Sequence, residues 1–129
     1  MDIQRLLNNP IEFIGVLEQV NGQILLNSGT LSVLLGEKHS RVIKRITRNI
    51  SRKPELLGMC YFESNLVANG SENIYYMTSE GLNYISLKDP QRLLIKAYLL
   101  LAFQELEGIL KPIGDGFTCL RQFNKHLLN

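Results

Sequence analysis

Residues 38–53 constrain this chain more than any other stretch. At about 100° per residue, Val42, Ile43, Ile46 and Ile50 gather on one side of a helix. Arg41, Lys44, Arg45, Arg48 and Arg52 gather on the other. The spacing predicts a helix over 39–50 with one buried face and an opposite cationic face. Lys53-Pro54 ends it, because the residue before a proline is pushed out of the α region. Lys38, Arg41, Lys44, Arg45, Arg48, Arg52 and Lys53 are seven of the chain's fourteen Lys and Arg, and no acid interrupts them. Solvated helix faces ordinarily mix signs, since an opposite-charge pair one turn apart contributes about 0.2–0.5 kcal/mol. An all-basic face forgoes that gain and repels itself. It suits phosphate better than a protein surface of mixed charge, with a plain solvated face or a docking site for an acidic protein as the alternatives.

The flanking sequence frames this helix. Ser28 is placed to cap a short helix beginning at Gly29, its hydroxyl accepting from the free amides of the first turn. Leu31, Leu34 and Leu35 give that helix an apolar face, and Gly36 ends it before a tight Glu37-Lys38 connection. Two short helices joined by a glycine-containing turn, the second one basic, describe a helix-turn-helix. Residues 59–67 are β-like, 68–73 form a polar turn cluster, and 74–77 return as a hairpin that would serve as a wing. At its tip Asn69, Ser71 and Asn73 are candidates for phosphate or minor-groove contact, although turn chemistry alone explains them as well.

Upstream, Ile3, Leu6 and Leu7 make a short amphipathic start closed by Asn8-Asn9-Pro10. Residues 13–20 are expected as a strand, Asn21-Gly22 as a type I′ turn, and 23–26 as the returning strand. Downstream, Thr78 caps a helix over 79–87, and Asp89-Pro90 opens a longer one that runs to residue 110. Its belt of Leu93, Leu94, Ala97, Leu99, Leu100, Leu101, Phe103 and Leu106 is wider than one stripe. Such a helix is enclosed on several sides, by its own core or by a partner subunit. A short closing helix is expected around Cys119, Leu120, Phe123 and Leu127. The fold class expected is α+β: a winged-helix-like domain, helix-turn-helix plus β-hairpins, with a long C-terminal helix. One domain covers 1–129, with 14–107 as its core and 108–129 as an extension.

Composition narrows the function. Of 129 residues, 45% are hydrophobic and 20% charged, which is an ordinary globular mix rather than a disordered one. The net charge of +2 conceals the patch, because outside 38–53 seven bases face twelve acids. No apolar run reaches the roughly 20 residues that span a bilayer. The first residues lack the features of a secretory signal, so the cytoplasm is the expected compartment and no membrane partner is expected. Cys60 and Cys119 form no CxxC pair and no metal cluster with His39 or His126, and both are expected as reduced, buried thiols. His39 falls toward the apolar side near its helix start, which favours capping or packing over base contact. Tyr75, Tyr76, Tyr84 and Phe103 are expected in the core. The chain holds no P-loop, HExxH or GxSxG, and Glu105 and Glu107 point to different sides of a helix. No catalytic site, metal or cofactor is expected.

Taken in order, several segments resemble the Rha family of phage regulatory proteins. Asn27-Ser28 stands where that family tends to have Thr-Ser. Leu35-Gly36-Glu37-Lys38-His39, Val42-Ile43 and Ile46 follow at its spacing, roughly S-x7-G-[KE]-x-H-x2-V-[LI]-x2-I. Tyr75-Tyr76-Met77-Thr78-Ser79-Glu80-Gly81-Leu82 is similar to Y-x-[LM]-T-x-x-G-[FL], and Ala102-Phe103-Gln104-Glu105-Leu106-Glu107 to A-F-N-x-[ML]-E, with Lys96 at the matching distance before Phe103. Phe62 looks like the aromatic before the hairpin. The resemblance covers 22–107. It departs at Asp89-Pro90-Gln91-Arg92, where a Gly-Lys-Lys-Ala-like stretch is usual, and at Leu99, where an aromatic is common. It implies a phage- or prophage-borne regulator acting in the bacterial cytoplasm. Double-stranded DNA is the expected partner, through Lys38, Arg41, Lys44, Arg45, Arg48, Arg52 and Lys53, and a homodimer is expected because one recognition helix gives a modest interface. The rival expectation is a protein-interaction module, such as an antirepressor docking on a host or phage regulator; a toxin-like phage product that disturbs host replication is a third.

Overall fold

The computed structural model describes residues 2–64 and 73–110, the side chains of 109 and 110 excepted. Asn69, Ser71, Cys119, His126 and the expected closing helix therefore lie outside the described residues.

Helix α1 (Ile3–Asn8) starts where the Asp2 carboxylate accepts from the amides of Gln4 and Arg5 at 3.1 and 3.3 Å. The strand expected over 13–20 begins later than its sequence implied. Pro10 instead opens a 3₁₀ helix, Pro10–Val16, whose three-residue period lines up Pro10, Phe13 and Val16 and drives Phe13 fully inside. Only then does β1 (Glu18–Val20) form, and it is paired across Asn21-Gly22 with β2 (Gln23–Asn27). Asn21 and Gly22 both take positive φ, 52° and 80°, as that turn requires.

At the start of α2 (Ser28–Leu35) the cap is Asn27 rather than Ser28. Its side chain accepts from Gly29 and Thr30 at 2.7 and 3.4 Å. Both residue types cap well, but Asn27 holds the extended backbone a cap needs, while Ser28 is already helical and wholly buried. Helix α3 (His39–Arg52) follows, then a 3₁₀ turn over Pro54–Leu56, β3 (Tyr61–Ser64) and β4 (Ile74–Met77). Helix α4 (Ser79–Asn83), capped by Thr78, is shorter than the 79–87 that the sequence implied. Lys96 explains the early stop: its ammonium donates to the Asn83 and Ile85 carbonyls at 3.0 and 2.8 Å, giving partners to groups that another turn would have used. Burial at this spot lowers the Lys96 pKa from its ordinary value. Helix α5 (Pro90–Leu110) has Pro90 at its first position, and Asp89 accepts from the Arg92 amide at 3.1 Å.

The four strands form one antiparallel sheet in the order β1-β2-β4-β3. Met77 sits opposite both Leu26 and Tyr61, which places β4 in the middle with the helices packed against it. The architecture is thus α+β, with a long final helix. One buried cluster joins Leu26, Leu31, Ile46, Tyr61, Met77, Leu82, Leu99 and Phe103. Phe13 and Tyr98 meet at 5.7 Å between ring centroids, seating the 3₁₀ helix on α5. Tyr84, expected inside, is 44% exposed, and Tyr76 is half-buried. Among the described residues no helix is long and apolar enough to cross a membrane.

Candidate nucleic-acid interface

Helix α3 is presented by the turn that precedes it. Gly36 takes a left-handed φ of 67°. Its amide donates to Val33 O at 3.2 Å and the Glu37 amide to Ser32 O at 3.0 Å, the paired bonds of a Schellman ending. That closure sends the chain sharply back, so α3 packs against α2. His39, in its first turn, shares a 2.8 Å hydrogen bond through Nε2 with the Ser28 hydroxyl, which also accepts from the Tyr75 amide at 3.1 Å. One buried hydroxyl thereby ties the start of α3 to α2 and β4. This is a packing role for His39.

The two faces of α3 separate as the periodicity requires. Val42 and Ile46 are 1% and 0% exposed, with Ile43 and Ile50 half-buried against the same core. Arg41, Lys44, Arg48 and Arg52 stand in solvent, as do Lys38 and Lys53 at the ends. The far end is anchored by Asn49, whose amide donates to the Tyr61 hydroxyl at 3.2 Å and to Tyr84 O at 3.3 Å. Tyr61 in turn donates to Gly81 O at 2.6 Å. A Cβ on Gly81 would lie 2.8 Å from Cys60 O, so only glycine fits that crossing. Burial pushes the Tyr61 phenol above its ordinary pKa and keeps it a donor.

Two of the candidate bases are engaged by the chain itself. The Arg45 Nη1 group donates to both oxygens of Glu37, at 2.8 and 2.7 Å. The Arg92 Nη1 group reaches the same carboxylate at 3.2 Å, while its Nε donates to Leu35 O at 3.0 Å. The Glu37 side chain is 1% exposed, a buried acid between two arginines whose side chains are about one-third exposed. Arg45 is thus partly neutralised, and the free cationic face is narrower than sequence counting implied. Lys53 donates to the Tyr84 hydroxyl at 3.3 Å with its ammonium 5.7 Å from the ring centroid, and that hydrogen bond raises its pKa. Of the hairpin-tip candidates only Asn73 is described. Its amide donates to Glu63 at 2.6 Å across the β3–β4 pair, which places an acid beside it.

Sequence reasoning missed Glu37, Asn49 and Arg92. The turn position of Glu37, two turns before Arg45, was a weak available sign. The contribution of Arg92 depends on a tertiary approach that no local pattern encodes. Cys60 is buried, its thiol donating to Glu80 at 3.4 Å, and burial raises its pKa. Among the described residues no group of three or more His, Cys, Asp or Glu is placed to hold a metal ion. Compared with protein-family models, curated proteins and solved structures, the chain matches none.

Proposed function

We propose that this chain binds double-stranded DNA through the exposed basic face of α3, acting as a transcription regulator of the phage or prophage type that its motifs resemble. The observation that carries this reading is the division of one helix. Val42 and Ile46 are sealed in the core while Arg41, Lys44, Arg48 and Arg52 stand exposed on the opposite side. Fourteen residues give a helix about 21 Å long. A B-DNA major groove about 12 Å wide admits a helix. There the bases displace condensed counterions from phosphates, and an arginine can pair with guanine O6 and N7.

The element order supports a winged-helix arrangement. Strand β2 leads into α2 and α3, the chain returns as the β3–β4 hairpin, and β4 pairs back onto β2. A homodimer belongs to the same reading, because Leu93, Leu94 and Leu101 leave apolar surface exposed along α5.

The test is salt dependence. Replacing Arg41 and Lys44 together by Ala touches neither the core nor the Glu37 clamp. The slope of log affinity against log salt should become shallower by about 1.8, the worth of two phosphate contacts. An unchanged slope would remove α3 as the DNA-contacting element.

A further inference from the structure

A groove of about 520 Å³ runs between the C-terminal half of α3 and the segment 84–92. Arg45, Arg48 and Arg52 line one wall, and Lys88 and Arg92 line the other. Among the described residues two acids bear on it: Asp89, which lines it and is exposed, and Glu37, whose side chain is buried behind it. Asp89 accepts from the Arg92 amide, and the buried Glu37 holds Arg45 and Arg92 from behind, one carboxylate against two guanidiniums. Arg48, Arg52 and Lys88 are exposed and enter no ion pair among the described residues. Buried Ile85 and Leu87 supply apolar wall between the charges. A cleft in which one sign predominates, backed by low-dielectric walls, concentrates field and attracts counter-ions.

We infer that this groove seats a backbone phosphate of bound duplex DNA, making Lys88 and Arg92 a second contact element beside α3. The inference rests on the DNA-binding reading above. Two features favour a polymer's phosphate over a small free anion. Arg48, Arg52 and Lys88 at the groove are exposed rather than turned into an enclosed pocket, and Arg48 and Arg52 belong at once to the groove and to the open face of α3. A strand crossing that face would continue into the groove without leaving positive surface. The Glu37 clamp fixes Arg45 and Arg92 in place before any ligand arrives, so less side-chain freedom is lost on binding.

The experiment uses the full chain and a 20-base-pair duplex of arbitrary sequence, because phosphate contact carries no sequence information. Affinity is measured across a salt series for wild type, Lys88→Ala, and the Arg41→Ala/Lys44→Ala pair, with inorganic phosphate titrated separately into DNA-free protein. Lys88 is exposed and holds no partner among the described residues, so Lys88→Ala should melt as wild type does. Its slope should be shallower by about 0.9, one phosphate's worth. A wild-type slope in Lys88→Ala, with a flattened one in the α3 pair, overturns the groove and leaves the helix reading standing. No change in either variant removes both. Saturable binding of inorganic phosphate that Lys88→Ala abolishes, with the duplex slope intact, gives the groove to a small anion and also overturns the inference.

Discussion

Glu37 shows how one side chain sets the cationic surface. Buried between Arg45 and Arg92, it joins the turn, α3 and the start of α5 through charge-assisted bonds. Glu37→Gln keeps the shape and removes the charge, leaving two guanidiniums facing each other. Both arginines are about one-third exposed in their side chains, so water screens part of the loss. The expected destabilisation is about 1–3 kcal/mol, read by urea unfolding. Glu105 presents the opposite case. It is 2% exposed, its Oε2 has no hydrogen-bond partner among the described residues, and burial raises its pKa above the ordinary carboxylate value. At strongly acid pH it is protonated in both the folded and the unfolded chain. As pH rises, the unfolded chain loses the proton first, and folded stability falls until the pH passes the raised pKa, after which the deficit is constant. Glu105→Gln should therefore gain in melting temperature relative to wild type between pH 4 and pH 7. An offset that does not change with pH would contradict this. Neither role was visible in the sequence, where Glu37 read as a connector and Glu105 as one helix acid among others, because both depend on what packs over them.

At the scale of elements, α3 was the most legible part. Its apolar residues recur every three or four positions over fourteen residues, and nothing local competes with that pattern. The prediction belongs to the buried stripe: Ile46→Ala, at 0% exposure, should cost about 2–5 kcal/mol in chemical denaturation. The stretch before β1 was misjudged because its apolar residues are nearly continuous, and short apolar runs do not distinguish a strand from a tight helix. Pro10 carried the missing information: it presets φ for a helical first turn. The end of α4 was misplaced for another reason, since the Lys96 ammonium that caps it comes from α5. Where motif residues resembled a known pattern, the structure gives them mechanical roles. Ser28, His39 and Tyr75 meet at one hydroxyl, and Gly81 admits the Cys60 carbonyl where a side chain would not fit.

For the whole molecule, the sequence carried the distribution of charge better than its use. Half the basic residues lie within 38–53, and the fold turns most of them outward on one helix, but Lys88 and Arg92 join that surface only through the approach of 84–92 to α3. Both hairpins were legible, but the pairing of β2 with β4 was out of reach, because those strands meet across the whole of α2 and α3. On the proposed reading, the exposed leucines of α5 are the surface a second copy would cover, and two copies would present two α3 helices to one duplex. The most direct measurement is selection of bound duplexes from a random pool at near-physiological salt, run with wild type and with Arg48→Ala. The account predicts that wild type enriches a site of two inverted half-sites about one helical turn apart, and that Arg48→Ala weakens its recovery. A wild-type pool that emerges without enrichment, or a site that Arg48→Ala recovers equally well, would contradict it.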